Sequence, residues 1–179
     1  LKSNKENMVF IYDLIKILKI KHKNILKDLK SFKGLNHRHE IFFKKKNISF
    51  INDSKATSFE ASKFALSSNK NIFWIVGGQP KLNDRFKLKG LSNNIIKTFV
   101  IGKNLKFFKK QLAGKVNFEI SKTLKKALVS IFKIIIKTPD KKVSILLSPA
   151  SASFDQFKSF EERGNIFKKL VRFYGKKYL

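Results

Sequence analysis

Short apolar runs alternate with helical patterns through most of the chain, which predicts an α/β fold. Predicted strands cover 40–45, 48–52, 71–76, 97–101, 116–120 and 143–147. Helices are predicted over 59–68, 105–112, 123–136 and 157–172, and a loop with a short helix over 82–93. Because strands and helices alternate, we expect a Rossmann-like, mostly parallel sheet with helices on both faces.

The first 34 residues differ from the rest, because they contain two helical patterns and no strand. Apolar residues recur at helical spacing over 7–20, and a second short helix fits 23–32. Short helices are marginal unless they pack against something else. We therefore expect residues 1–34 to be the end of a preceding domain and residues 35–179 to form the main domain. Since the chain does not begin with methionine, we also expect it to be part of a longer protein.

Two predicted strands end in polar turns that suggest a ligand site. The strand 143–147 leads into a serine-rich turn over 148–153, and the strand 48–52 leads into the charged turn 53–57. In α/β sheets, ligands bind outside the carboxyl ends of the strands, and the N–H groups at a helix start attract anions. These turns therefore suggest a site for an anion or a carboxylate. The alternative is that Ser153 only caps the next helix, as serine often does.

Two other stretches leave alternatives open. Gly77 and Gly78 would let the backbone approach a ligand, with Lys81 as its cation, or they only form a turn that ends a strand. His37 and His39 flank Arg38 in a basic cluster that would suit phosphate, or this cluster is an exposed linker.

The high positive net charge does not by itself identify the function. The formal net charge is +28, and such values are typical of nucleic-acid-binding proteins. Only four of the 40 basic residues are arginine, however, and arginine is favoured for bidentate contacts with phosphates and bases. We therefore expect a mostly solvated lysine surface and no nucleic-acid partner. A basic module that binds nucleic acid is kept as the alternative function.

Several kinds of site are not supported by the sequence. The chain has no cysteine, so disulfides and thiolate metal sites are excluded. No apolar run reaches the roughly 18 residues of a membrane helix, so we expect no membrane partner and a cytoplasmic location. We find no metal-ligand cluster, no Ser-His-Asp arrangement, no G-x-G-x-x-G fingerprint and no P-loop.

Four stretches together resemble the Mur ligase family of peptidoglycan synthesis, in its D-glutamate-adding branch. They are GLNHRHE (34–40), INDSKAT (51–57), GGQPK (77–81) and SPASASFDQFKSFEERG (148–164). The resemblance implies that residues 1–34 end an ATP-binding domain and that residues 35–179 form a Rossmann-like amino-acid-binding domain. The family's P-loop and UDP-sugar domain are not in this chain, so we expect the chain alone to be inactive.

The resemblance also implies a reaction and its partners. ATP would phosphorylate the carboxylate of UDP-N-acetylmuramoyl-L-alanine, and the amine of D-glutamate would then attack the acyl phosphate. Phosphoryl transfer of this kind needs cations beside the developing negative charge. The implied cofactors are ATP and Mg²⁺, with most magnesium ligands outside this chain, and the implied state is a monomer.

Ten positions match the residues of the family's site motifs. The positions near the nucleotide are Asn4, Asn7, Arg38 and Asp53. Lys55 matches a lysine beside the reacting phosphate and is the catalytic candidate. The positions around D-glutamate are Thr57, Lys81, Ser153, Phe154 and Phe160. A dicarboxylate ligand needs such a cation, such hydroxyl and backbone donors, and an aromatic wall.

Overall fold

The computed structural model describes residues 5–32, 34–87, 90–138 and 140–179. The chain divides into two units, Leu1–Gly34 and Leu35–Leu179. The first unit contains helices α1 (Lys5–Ile17) and α2 (His22–Ser31). Their assignment to the end of an ATP-binding domain, and that of the second unit to an amino-acid-binding domain, stay predictions.

The second unit is built on a six-stranded sheet. Its strands are β1 (Glu40–Lys45), β2 (Ile48–Asn52), β3 (Ile72–Gly77), β4 (Ile95–Ile101), β5 (Phe118–Lys122) and β6 (Val143–Leu147). They lie in the order β1-β2-β6-β3-β4-β5. β1 pairs antiparallel with β2, and the other described pairs are parallel. The predicted mostly parallel sheet is therefore confirmed.

Helices cover both faces of this sheet, because its central strands are apolar on both sides. The helices are α3 (Phe59–Ser67), α4 (Leu105–Leu112), α5 (Leu124–Ile136) and α6 (Phe160–Tyr178). Alternate residues of β3 belong to two different cores: Phe73 and Ile75 pack with α5 and α6, whereas Trp74 and Val76 pack with α3 and α4. Buried parallel strands are apolar on both faces for this reason.

Two helical predictions were wrong. The helix predicted to begin at residue 157 begins at Phe160, where the Ser159 hydroxyl accepts the N–H of Glu162 at 3.2 Å. Ser153 therefore does not cap it, and the helix continues to Tyr178 instead of ending at 172. The short helix predicted within 82–93 is reduced to a single 3₁₀ turn over Ser92–Asn94.

Candidate functional site

Three loops meet at the carboxyl edge of the sheet. They are the β2 loop (53–58), the β3 loop (78–84) and the β6 loop (148–159). Gln79 and Ala152 exchange two backbone hydrogen bonds of 2.9 Å, which hold the β3 loop against the β6 loop. The Asp84 carboxylate accepts the N–H of Phe59 at 3.0 Å, so the β3 loop also lies against the start of α3. These loops carry four of the five predicted amino-acid contacts, Thr57, Lys81, Ser153 and Phe154.

Gly78 is required by this loop packing. Its φ is +138°, and a Cβ there would lie 2.3 Å from the carbonyl oxygen of Ala152 and 2.5 Å from the Ser151 hydroxyl. A Cβ on Gly77 would lie 2.0 Å from the carbonyl oxygen of Ile101. The glycine pair therefore serves the close approach of protein backbone, which favours the strand-ending turn over direct backbone contact with a ligand.

The predicted amino-acid contacts differ in their exposure. Lys81 is exposed, and the Phe154 ring is 70% exposed. Ser153 is only 2% exposed, and its carbonyl oxygen accepts the N–H groups of Gln156 and Phe157 at 3.1 and 2.9 Å. Thr57 and Phe160 are half-buried. Ser153 therefore sets the course of the β6 loop, while the side chains of Lys81 and Phe154 are accessible to a ligand.

Lys81 lies in an open groove with a cationic lining. The groove has a volume of about 830 Å³. Its cationic lining residues are Lys81, Arg85, Lys110 and Lys115, and Phe107 provides an aromatic wall. Asp84 also lines the groove, but its Oδ2 accepts the N–H of Phe59. A groove of this composition attracts anionic ligands.

Lys55, the catalytic candidate, contacts one of the predicted amino-acid-binding residues. Its Nζ lies 5.3 Å from the centroid of the Phe160 ring. A cation–π contact of this kind is worth about 0.5–1 kcal/mol at exposed sites. The N–H of Lys55 donates to the carbonyl oxygen of His37 at 3.0 Å, which fixes its backbone. Lys55 is thus an oriented but exposed cation.

Asp53 is buried and bound within the protein. The residue is 6% exposed, and its carboxylate accepts the Ser148 hydroxyl at 2.7 Å and the N–H of His39 at 3.0 Å. Burial raises the pKa of Asp53 to about 6, although both hydrogen bonds and the charge of Arg38 act in the opposite direction. Arg38 itself is exposed. Of these two nucleotide candidates, Arg38 offers its side chain to a ligand, and Asp53 holds the backbone beside it.

The histidines flanking Arg38 are held by contacts within the protein. His37 is 7% exposed, and its Nδ1 lies 2.9 Å from the Asn52 amide nitrogen. The Nε2 of His39 lies 2.9 Å from the Asn69 amide nitrogen. Burial is the main cause that lowers the pKa of both rings, which keeps them neutral near pH 7. The exposed-linker alternative is therefore wrong for the two histidines, and phosphate binding at the exposed Arg38 stays a prediction.

Arg163 is the residue of this region that sequence reasoning missed. It is fully buried, and burial lowers its pKa to about 10, so it stays protonated at neutral pH. The available signal was its spacing, because Arg163 lies four and eight residues before the buried Phe167 and Val171 of α6. That spacing places it on the inward face of the helix.

The remaining predicted positions cannot be placed in the site. Asn4 lies outside the described residues, and Asn7 lies in α1 with its side chain outside them. Among the described residues, no group of three or more His, Asp, Glu or Cys side chains could hold a metal ion. Within that same part of the chain, no helix is long and apolar enough to cross a bilayer.

Comparison with known proteins identifies relatives of the chain. It is 42% identical over 167 residues to the UDP-N-acetylmuramoylalanine–D-glutamate ligase of Wolbachia sp. subsp. Brugia malayi (strain TRS), covering 93% of this chain and 33% of that enzyme. It is 45% identical over 145 residues to the corresponding ligase of Nitrobacter hamburgensis, covering 81% of this chain and 31% of that enzyme. This chain is homologous to part of these ligases.

The family resemblance predicted from the four motifs is thereby confirmed. The chain spans about a third of the length of the curated relatives it matches. No family profile matches the chain. Among solved structures, the MurF ligase from Thermotoga maritima in complex with ADP matches with a TM-score of 0.61 and 18% identity, covering 90% of this chain and 36% of that one. This match confirms the predicted fold class.

Proposed function

We propose that this chain is the amino-acid-binding part of an ATP-dependent ligase that adds D-glutamate to UDP-N-acetylmuramoyl-L-alanine. The observation that carries the proposal is the junction of the three loops, which brings together the stretches with Thr57, Lys81 and Ser153. The relatives that share up to 45% of aligned residues are named as ligases of this specificity. A monomer is proposed for the whole enzyme.

In this proposal the exposed cations bind the anionic groups. Lys81 pairs with a carboxylate of D-glutamate, and the other cations of its groove raise the local concentration of the dianion. Thr57 and the turn of Ser153 supply polar contacts, and Phe154 and Phe160 supply the apolar walls. Lys55, oriented over the Phe160 ring, stabilises the negative charge that develops at the acyl phosphate.

ATP binds at the other side of the β2 loop in this proposal, with exposed Arg38 as its contact and buried Asp53 as the support of Arg38. Asn4 and Asn7 remain proposed contacts on the adenine side. Magnesium would serve the phosphoryl transfer. On the family resemblance, we assign most of its ligands to parts of the enzyme outside this chain.

The test is phosphate release by a full-length protein that carries this chain, supplied with ATP, magnesium and UDP-N-acetylmuramoyl-L-alanine. We expect release to depend on D-glutamate and not on L-glutamate or D-aspartate.

Lys81→Ala removes a hydrogen bond to a charged ligand, worth about 1.5–3 kcal/mol. The KM for D-glutamate should therefore rise about tenfold to a hundredfold, while Lys87→Ala, an exposed lysine further along the same β3–β4 connection, should leave it unchanged.

Two outcomes would contradict the proposed function. Release that is indifferent to every amino acid, or a Lys81→Ala variant with the wild-type KM, would refute the assignment. The net charge of +28 then favours nucleic-acid binding as the alternative. That function predicts an affinity for DNA that falls steeply with salt, with a log–log slope near −0.9 per phosphate contacted.

A further inference from the structure

Arg163 links the three loops from behind. Its Nε donates to the Ser54 hydroxyl at 3.0 Å, and its Nη2 donates to the carbonyl oxygens of Ser54 at 2.8 Å and Ser151 at 3.0 Å. Its Nη1 lies against the β3 loop, since a Cβ on Gly78 would be 3.2 Å from it. One side chain on α6 therefore touches the β2, β3 and β6 loops at once.

Each of these contacts lies close in sequence to a proposed ligand contact. Ser54 directly precedes Lys55, Ser151 lies two residues before Ser153, and Gly78 lies three residues before Lys81. A shift of the guanidinium would thus be transmitted to all three loops. A misplacement of about 1 Å can lower a catalytic rate by about a hundredfold.

Stability alone does not explain a buried arginine here. Among the described residues the guanidinium forms no ion pair, and its Nη1 has no hydrogen-bond partner. The Asp155 carboxylate acts on it only through space. Removing a charge from water costs several kcal/mol even when the charge is paired, and apolar residues of similar volume are often as stable or more so. The planar fork does what an apolar side chain cannot, because it reaches carbonyl groups on two loops.

We propose that Arg163 is a positioning residue of the amino-acid site, which sets the three loops in the arrangement that binds the acidic amino acid. This inference rests on the proposed function and deepens it. Arg163 itself does not touch the ligand, since it is fully buried. It acts through the backbone of Ser54 and Ser151.

The kinetic test uses Arg163→Lys in a full-length protein that carries this chain. Lysine keeps the charge but offers one donor group instead of the fork, so it cannot hold both carbonyl oxygens in the same way. We expect kcat/KM for D-glutamate to fall about tenfold to a hundredfold, with the KM for ATP changed by less than about twofold. The matched control is Arg172→Lys, an exposed arginine on the same helix, which should behave as wild type.

A second variant and a second measurement cover the case in which Arg163→Lys does not fold. Ser54→Ala removes the hydroxyl that accepts from Nε and donates to the carbonyl oxygen of Phe160, leaves both Nη2 contacts, and should lower the same kcat/KM to a smaller extent. Hydrogen exchange then reports the loops directly. The amides of Gln79 and Ala152 pair the β3 loop with the β6 loop, and the amide of Lys55 ties the β2 loop to the carbonyl oxygen of His37. All three amides should exchange faster in either variant. The amides of Trp74 and Val76 in β3 should keep their protection.

The two readouts separate this inference from the proposed function. If the wild-type protein shows no release that depends on D-glutamate, the proposed function fails and hydrogen exchange alone decides the role of Arg163. Unchanged protection of the loop amides in both variants overturns the proposal. So does a folded Arg163→Lys protein that keeps the wild-type kcat/KM for D-glutamate, or that loses efficiency equally toward D-glutamate and ATP.

Discussion

Replacing Asp53 by asparagine should stabilise the domain at neutral pH, although Asp53 is a proposed site residue. Its carboxylate is buried, and burial raises its pKa to about 6 from the ordinary 3.8. Asparagine has nearly the same shape and carries no charge. Its Oδ1 can accept the N–H of His39, and its amide can donate to the Ser148 hydroxyl, which is able to accept as well as donate. Both native contacts then persist in altered form.

The expected gain in stability follows from the raised pKa of Asp53. Because the folded-state pKa lies above the unfolded one, the contribution of Asp53 to stability is fully present below about pH 4 and is lost as the pH rises through 6. The folded-state and unfolded-state pKa values differ by about two units, which corresponds to about 3 kcal/mol at 1.36 kcal/mol per unit. We expect Asp53→Asn to recover about 1–3 kcal/mol at pH 8, since the exchanged hydrogen bonds will not be equally strong.

The assay is urea unfolding at pH 4, 6 and 8, followed by the fluorescence of the single tryptophan, Trp74, which is fully buried. Burial lowers the pKa of His37 and His39 below the ordinary 6.5, so these groups make stability rise with pH up to that value and oppose the contribution of Asp53. The informative quantity is therefore the difference between variant and wild type at each pH. It should be near zero at pH 4 and largest at pH 8.

Two results would refute this reasoning. One is a difference that does not change with pH, and the other is an Asp53→Asn protein less stable than wild type at pH 8. Asp140→Asn, which removes an exposed carboxylate, is the control, and its free energy of unfolding should match that of the wild type. If the variant is more stable and a full-length protein carrying it is less active, Asp53 is an example of stability given up for function.

Two further substitutions test the packing around the site. Gly164→Ala would place a Cβ 2.2 Å from His37 Nδ1 and 2.9 Å from Asn52 Nδ2, so the free energy of unfolding in urea should fall by about 1–3 kcal/mol. The control is Gly175→Ala on the same helix. Its Cβ would lie 3.5 Å from the Phe43 ring, so this variant should be neutral or stabilising. Ser159→Ala removes the N-cap of α6 and should lower the free energy of unfolding by about 1 kcal/mol. An equal loss in Ser153→Ala would contradict the observed helix start.

The sequence predicted the elements whose signals are local. β1, β2, β6 and α4 have the predicted bounds, because each is a short apolar or amphipathic segment bordered by turn residues. The start of α6 was missed because serine occurs both at 153 and at 159, and both are plausible caps. Only the tertiary contacts of the β6 loop, with Ala152 paired to Gln79, decide between them.

The residues of the candidate site also differ in whether the sequence could predict them. Exposed groups such as Lys81 and Arg38 could be proposed from motifs, since residue type and position suffice for them. The burial of Asp53 and Arg163 could not, because their partners are distant in the chain. Arg163 lies 109 residues from Ser54, and Asp53 lies 95 residues from Ser148. Such pairs are visible only once the strand order has placed β6 beside β2.

That strand order also explains why one helix can support all three loops. β6 lies between β2 and β3, so the loops that follow these strands are neighbours at one edge of the sheet. α6 follows the central one of the three, and its first turns reach both flanking loops: the Ser54 hydroxyl donates to the carbonyl oxygen of Phe160, and Arg163 lies against Gly78. In the proposed site, the side chains of Lys55, Lys81 and Phe154 can then stay exposed, because the buried Arg163 side chain, which does not contact the ligand, positions the loops that carry them.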